Sequence, residues 1–183
     1  MKQIDSGTHF FYRNDEYIDD LEFIVLYKMG GPNGGFHCIT AKSIKEDQYL
    51  STSDFYTSNI YDWLHREFLQ RIGGATNASI RRVIDGDCGY QLVSLLTERD
   101  YDKYKDVLFS KGERAMNSVW LKDRSVDTVL FVNPRFGKCE TTGYIECDRF
   151  GIRPVVCFNF ESGDIWEEQG NIIFSNDGCK SND

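Results

Sequence analysis

The order of apolar patterns along this chain predicts an α+β fold, mostly short antiparallel strands with two helices. Three observations carry the prediction. Strand-like runs come first, two helical patterns occupy the middle, and every pattern after Gly112 is strand-like again. The regular alternation of strand and helix that marks a parallel sheet is missing. With 183 residues, 40% hydrophobic and 14% aromatic, the chain has the material for one cored domain and not for a disordered segment.

"LEFIVLYK" (21–28) is rich in β-branched and aromatic residues and reads as a strand, as does "FHCITAKSI" (36–44). "GGPNGG" (30–35) between them supplies the positive φ values of a hairpin turn. A phosphate cradle would need a helix after those glycines, and a strand follows. "YTSNIYDWLHREFLQRIGG" (56–74) is the clearest helix: Ser58 or Thr57 caps it and Gly73 stops it. Ile60, Trp63, Leu64, Phe68 and Ile72 form its apolar face, so Trp63, Leu64 and Phe68 are expected against the sheet, with Trp120 in the same core. His65 and Arg66 fall on the opposite, solvated side. "SIRRVI" (79–84) reads as a short strand. "DGDCG" (85–89) reads as a turn, since it lacks the third ligand position and closing glutamate of a calcium loop. "YQLVSLL" (90–96) reads as a buried strand. "TERDYDKYKDVL" (97–108) opens with T-x-x-D, close to a capping box, and forms the second helix. "SVWLK" (118–122), "VDTVLFV" (126–132), "KCETTGYIEC" (138–147) and "GIRPVVCFN" (151–159) supply the remaining strands, with a turn at "NPRFG" (133–137).

The net charge of −8 is concentrated at the two ends. Residues 1–22 hold six acids against two bases, and residues 161–183 hold six against one. The chain therefore divides into an acidic N-terminal segment (1–20), a central domain (21–160) and an acidic C-terminal hairpin or tail (161–183). Binding nucleic acid through its phosphates needs clustered Lys and Arg, and no such cluster is present, so direct nucleic-acid binding is not expected. No apolar run approaches the ~18 residues of a membrane span, and the N-terminus has no signal-peptide pattern. The expected location is cytoplasmic, with the six cysteines reduced. Without a C-x-x-C, and with only three histidines, a metal site is not expected, and neither is a cofactor.

Five elements, in order, resemble an uncharacterised bacterial and phage domain family that is itself distantly similar to the C-type lectin and formylglycine-generating-enzyme folds. They are "FIVLYK", "YTSNIYDWLHREFL", "YQLVSLLTERDYDKY", "WLKD" (120–123) and "GIRP" (151–154). Lys122 and Asp123 stand where the pattern has arginine and serine. The calcium signatures of C-type lectins and the paired active-site cysteines of formylglycine-generating enzymes are absent, so the resemblance implies the fold and not the chemistry. In lectin-like folds the chain ends meet, which implies that 21–28 pairs with 152–158. Pro154, which has no N–H, belongs at a strand start or edge, and Arg153 beside it is expected to clamp carbonyls or a carboxylate, or else to touch a ligand.

No catalytic residue is expected. Cys38 adjoins His37, but neighbours on a strand face opposite ways and cannot pair. His9 falls on the N-terminal segment, which reads as flexible. The resemblance instead implies a recognition face over 122–149, where Lys122, Arg124, Arg135, Phe136, Tyr144 and Arg149 mix cations with aromatics. A binding module for a protein, or else a small ligand, is the expected function. The alternative is an acidic phage or mobile-element inhibitor of a host defence nuclease, anti-CRISPR-like, acting through Glu161, Asp164, Glu167 and Glu168. An enzyme of unknown type is the third reading.

Overall fold

The computed structural model describes residues 3–30, 34–50, 54–84, 90–108, 118–125, 128–133, 136–143 and 147–175. The "DGDCG" turn, Arg135 and Tyr144 lie outside the described residues, as does the side chain of Arg124.

In chain order, β1 (His9–Arg13), β2 (Leu21–Lys28), β3 (Phe36–Thr40) and β4 (Lys45–Asp47) come first. Then α1 (Asn59–Trp63), a π-helical turn (Leu64–Phe68) and α2 (Leu69–Arg71) run on as one helix. Four two-residue strands follow: β5 (Ile80–Arg81), β6 (Val83–Ile84), β7 (Tyr90–Gln91) and β8 (Val93–Ser94). After α3 (Glu98–Leu108) come β9 (Val119–Ser125), β10 (Thr128–Asn133), β11 (Lys138–Thr142) and β12 (Phe150–Ile152). The last three strands are β13 (Val155–Phe158), β14 (Asp164–Glu168) and β15 (Asn171–Ser175). The fold is α+β.

The larger sheet runs β14-β15-β1-β2-β3-β13-β5, with β8 beside β5 on the same edge of β13. The smaller sheet runs β11-β10-β9-β12-β4, and β6 pairs with β7 alone. Residues 21–28 do not pair with 152–158. β1 and β3 occupy both edges of β2, and β3 stands between β2 and β13. The chain ends do meet, but through β1 and β15, which pair in parallel with Phe11 opposite Ile173. His9, expected on a flexible segment, sits in β1 with Nδ1 2.8 Å from Glu22 Oε1.

"GIRPVVCFN" is the crossing point between the sheets. Phe150–Ile152 pairs with β4 and β9 in the smaller sheet, and Val155–Phe158 joins the larger one. Pro154 sits where the chain leaves one ladder for the next, a place that needs no N–H. Its carbonyl accepts from Thr40 N at 3.1 Å, and Arg153, 2% exposed, donates from Nε to Thr40 O at 2.8 Å. Arg153 thereby ties the crossover to the end of β3.

Both faces of the larger sheet are covered, which explains the nearly continuous apolar run of β2. One face carries Phe23, Val25, Cys38, Val156 and Phe158 beneath Ile60, Leu64 and Phe68, with Trp120 in the same core. Trp63 is half-buried at its margin, with its ring 5.9 Å from that of Phe68. The other face carries Ile24, Leu26, Ile39 and Val155 beneath Tyr101, Tyr104 and Leu108 of α3. Ser58 Oγ accepts from Tyr61 N at 3.1 Å to cap α1, and Gly73, at φ 95°, ends α2. Thr97 Oγ1 likewise accepts from Asp100 N at 3.1 Å at the start of α3.

Candidate functional site

A cavity of about 210 Å³ opens where the α3 face of the larger sheet meets the segment 91–97 and β9. A β-bulge builds its floor. Val25 faces Cys38 and Tyr27 faces His37, so Leu26 is the extra residue. Without the bulge, Tyr27 would follow Phe23 and Val25 into the first core; with it, Tyr27 turns to the opposite face, beside His37. Cys157 lies across from His37 on the next strand, two residues on from Val155, and completes the floor. Ser94 and Val93 pair with Val155 and Val156, holding the segment 91–97 along the rim. Lys122 N donates to Leu96 O at 3.0 Å, which fixes β9 to the same segment. Thr97 and Asp100, from the first turn of α3, close the ring.

Tyr27 Oη and His37 Nδ1 are hydrogen-bonded. Burial lowers the pKa of His37, against the partial opposition of the Asp100 carboxylate. Burial, helped by Asp100, pushes the Tyr27 hydroxyl up to about 12. Both shifts favour the neutral forms, so the bond joins a neutral imidazole to an intact phenol, with the tautomer of His37 setting which of them donates. Tyr27 is also stacked on Tyr104 at 5.3 Å, with Lys103 Nζ over both rings. Burial raises the Cys157 thiol to about 11, only partly countered by Arg81. At neutral pH Cys157 is therefore a protonated thiol and a poor nucleophile. Burial lowers the Lys122 pKa, countered by Asp123, and its ammonium lies 5.2 Å over the Tyr56 ring. Such a site offers hydrogen bonds and charge to a ligand, and no activated nucleophile among these groups.

Of the residues expected to form a recognition face, Lys122 lines this cavity, and the other two with described side chains, Phe136 and Arg149, do not. Phe136, 60% exposed, sits at the β10–β11 turn, and Arg149 donates to Glu46 O at 3.2 Å beside β4. Both residues flank strands of the smaller sheet, Phe136 just after β10 and Arg149 just before β12. In the acidic set, Asp164, Glu167 and Glu168 lie on edge strand β14, and Glu161 is in the turn before it. Glu168 is held by Arg13, which also binds Asp20, and this guanidinium lowers its pKa.

His65 is half-buried, not solvated: Nδ1 donates to Tyr61 O at 3.0 Å, and Nε2 lies 3.2 Å from Gln91 Oε1. Tyr27, Gln91 and Cys157 are not singled out by the sequence; Asp100 stands out there only as the acid of T-x-x-D, and His37 only as the neighbour of Cys38. A cross-strand partner for His37 could have been sought on the other arm of the hairpin, but the bulge that supplies Tyr27 leaves no mark in the residue pattern. Among the described residues no group of three His, Cys, Asp or Glu side chains could hold a metal ion. Cys38, Cys139, Cys147 and Cys157 are free thiols, and no described helix is long and apolar enough to cross a membrane. Comparison with protein-family models, with curated proteins and with solved structures found no match.

Proposed function

We propose that this protein is a non-enzymatic binding module of C-type-lectin-like arrangement, working in the cytoplasm, and that the cavity beside α3 takes a small ligand. The observation that carries the reading is a concave site in which burial favours the neutral forms of Tyr27, His37 and Cys157, with the apolar Val93, Leu95 and Val155 also in its lining. Fragment screening by NMR tests the site: bound fragments should shift resonances of Val93, Leu95 and Val155, and Leu92→Trp at the rim should abolish those shifts. A screen in which no fragment moves those resonances, or one in which a bound fragment is chemically turned over, defeats the proposal.

A protein partner is the second reading, and a different surface favours it. Ile18 is fully exposed and Tyr17 is 40% exposed in a loop that also holds Asp15, Glu16, Asp19 and Asp20, close to β14 through Arg13. An apolar tip among acids suits a basic partner, as the inhibitor alternative requires. There, neutralising Glu161, Asp164, Glu167 and Glu168 together should abolish capture of the partner, and added salt should weaken it steeply.

A further inference from the structure

We infer that the protein binds a small oxyanion, the phosphate or carboxylate group of a small molecule, at Arg81 in a second cavity. This cavity adjoins the one beside α3, and the two share Cys157 and no other described lining residue. Its occupancy is independent of what the first cavity takes.

Strand register puts Arg81 in place. Arg81 stands opposite Cys157, Cys157 opposite His37, and His37 opposite Tyr27, in one row across β5, β13, β3 and β2. Residues directly opposite one another share a face of a sheet, so Arg81 extends the floor of the first cavity by one strand. The Cys157 thiol between the two cavities feels the Arg81 charge, which opposes the larger effect of burial on its pKa.

The guanidinium lacks the partner that its position demands. Arg81 Nε is buried and has no hydrogen-bond partner. Buried polar groups are almost always paired, and burying a charge without a partner costs far more than burying a neutral group. Cys157 cannot supply the missing anion. Burial keeps its thiol protonated at neutral pH, and the thiol donates to Met29 Sδ at 3.4 Å. The rest of the described lining holds no acid: it consists of Met29, Gly35, Ile80, Arg82 and Arg81 itself. Arg82 brings a second positive charge to the same cavity.

An oxyanion completes this arrangement. The forked donors of a guanidinium match two oxygens of a phosphate or a carboxylate, and both groups bring the charge that Arg81 needs. Apolar Met29 and Ile80 in the lining lower the local dielectric and strengthen such a pair. At about 490 Å³ the cavity lies within the ~300–1,000 Å³ of small-molecule sites, so it has room for the head group and a small organic body. A nucleic-acid backbone needs a longer run of clustered cations than two adjacent arginines provide, which leaves a small molecule as the ligand.

The test uses the whole protein, isotope-labelled, titrated at constant ionic strength with sodium phosphate and separately with sodium acetate. At least one of the two anions should shift the Nε–Hε resonance of Arg81 and the amide resonances of Ile80 and Gly35 to saturation. The tighter binder names the head group. Arg81→Met keeps the apolar stem and removes the charge, and should weaken that binding by roughly tenfold to a hundredfold, the loss of one charged hydrogen-bonding partner. Arg66→Met, at a guanidinium 79% exposed on the helix, should leave it unchanged. Should Arg81→Met fail to fold, the wild-type Arg81 side-chain resonance still decides. If neither anion shifts that resonance to saturation, or if Arg66→Met weakens binding as much as Arg81→Met, the inference is overturned. Resonances of Val93, Leu95 and Val155 report the first cavity separately, so either site can fail without the other.

Discussion

Replacing Trp120 by alanine should cost this protein more than any comparable change at Trp63, although both residues belong to the same apolar core. Trp120 is 1% exposed; its ring lies 4.5 Å from Phe150, 5.6 Å from Tyr49 and 6.3 Å from Phe131. Its indole N–H donates to Asp47 O at 2.7 Å and so joins β9 to β4 across β12. Truncating a fully buried tryptophan costs about 3–5 kcal/mol. The abandoned Asp47 carbonyl adds about 1 kcal/mol, the low end of the usual penalty, because water reaches that half-buried strand. The total of about 4–6 kcal/mol is a large part of a typical domain's ~5–15 kcal/mol. For a chain of this length it lowers Tm by about 8–24 °C. Trp63 is only half-buried, with Lys45 Nζ 5.3 Å over its ring, so Trp63→Ala should cost about half of the 3–5 kcal/mol of a buried site. Trp120→Phe keeps most of the ring packing and loses the N–H, for about 1–3 kcal/mol. Urea denaturation followed by far-UV circular dichroism measures all three. A Trp63→Ala variant as destabilised as Trp120→Ala would refute the reasoning.

Three further expectations concern the crossover and the cavity. His37 favours its neutral form in the fold, so as pH falls the unfolded chain takes up the proton first. The stability contributed by His37 is full above about 6.5, its ordinary value, and declines as pH drops below it. Urea midpoints between pH 8 and 5 should therefore fall more steeply for the wild type than for His37→Asn, and parallel curves would contradict this. Arg153→Met keeps the buried stem but removes the donor to Thr40 O, and should cost about 1.5–3 kcal/mol. Unchanged stability there would mean that the desolvation of the buried guanidinium cancels its hydrogen bonds. With iodoacetamide at neutral pH, exposed Cys147 should be labelled well before buried Cys38 and Cys157, as read by mass spectrometry of the intact folded protein. Equal labelling rates would show that the cavity thiol is more accessible and more ionised than its burial implies.

Local features of the fold were legible in the residues, and pairings between distant segments were not. Ser58, Gly73 and Thr97 marked helix ends because capping is a matter of neighbours within four residues. Leu64, Phe68 and Trp120 read as core because helical spacing and bulk show burial directly. The π-helical turn in the same helix has no such signature. The acidic ends looked like appendages because their charge hid short apolar alternations, and those strands, β1, β14 and β15, form one wing of the larger sheet. The cavity was harder still. Its groups come from β2, β3, β13, α3, β9 and the segment 91–97, and only tertiary structure brings them together. Lys122 was named from its place in the sequence among cations and aromatics; its neighbours in space are Tyr56 and Asp123.

The parallel pairing of β1 with β15 sets a schedule for synthesis. Arg13 finds its partner Ser175 only after another 162 residues have been made, which takes roughly 8–32 s at ribosomal speeds. Throughout that interval the hairpin of β1 and β2 can form, yet the outer edge of β1 keeps its backbone N–H and C=O groups bare. The nascent chain thus carries an open template for strand addition throughout those seconds, and a stop that removes 171–175 would leave that template permanently uncovered.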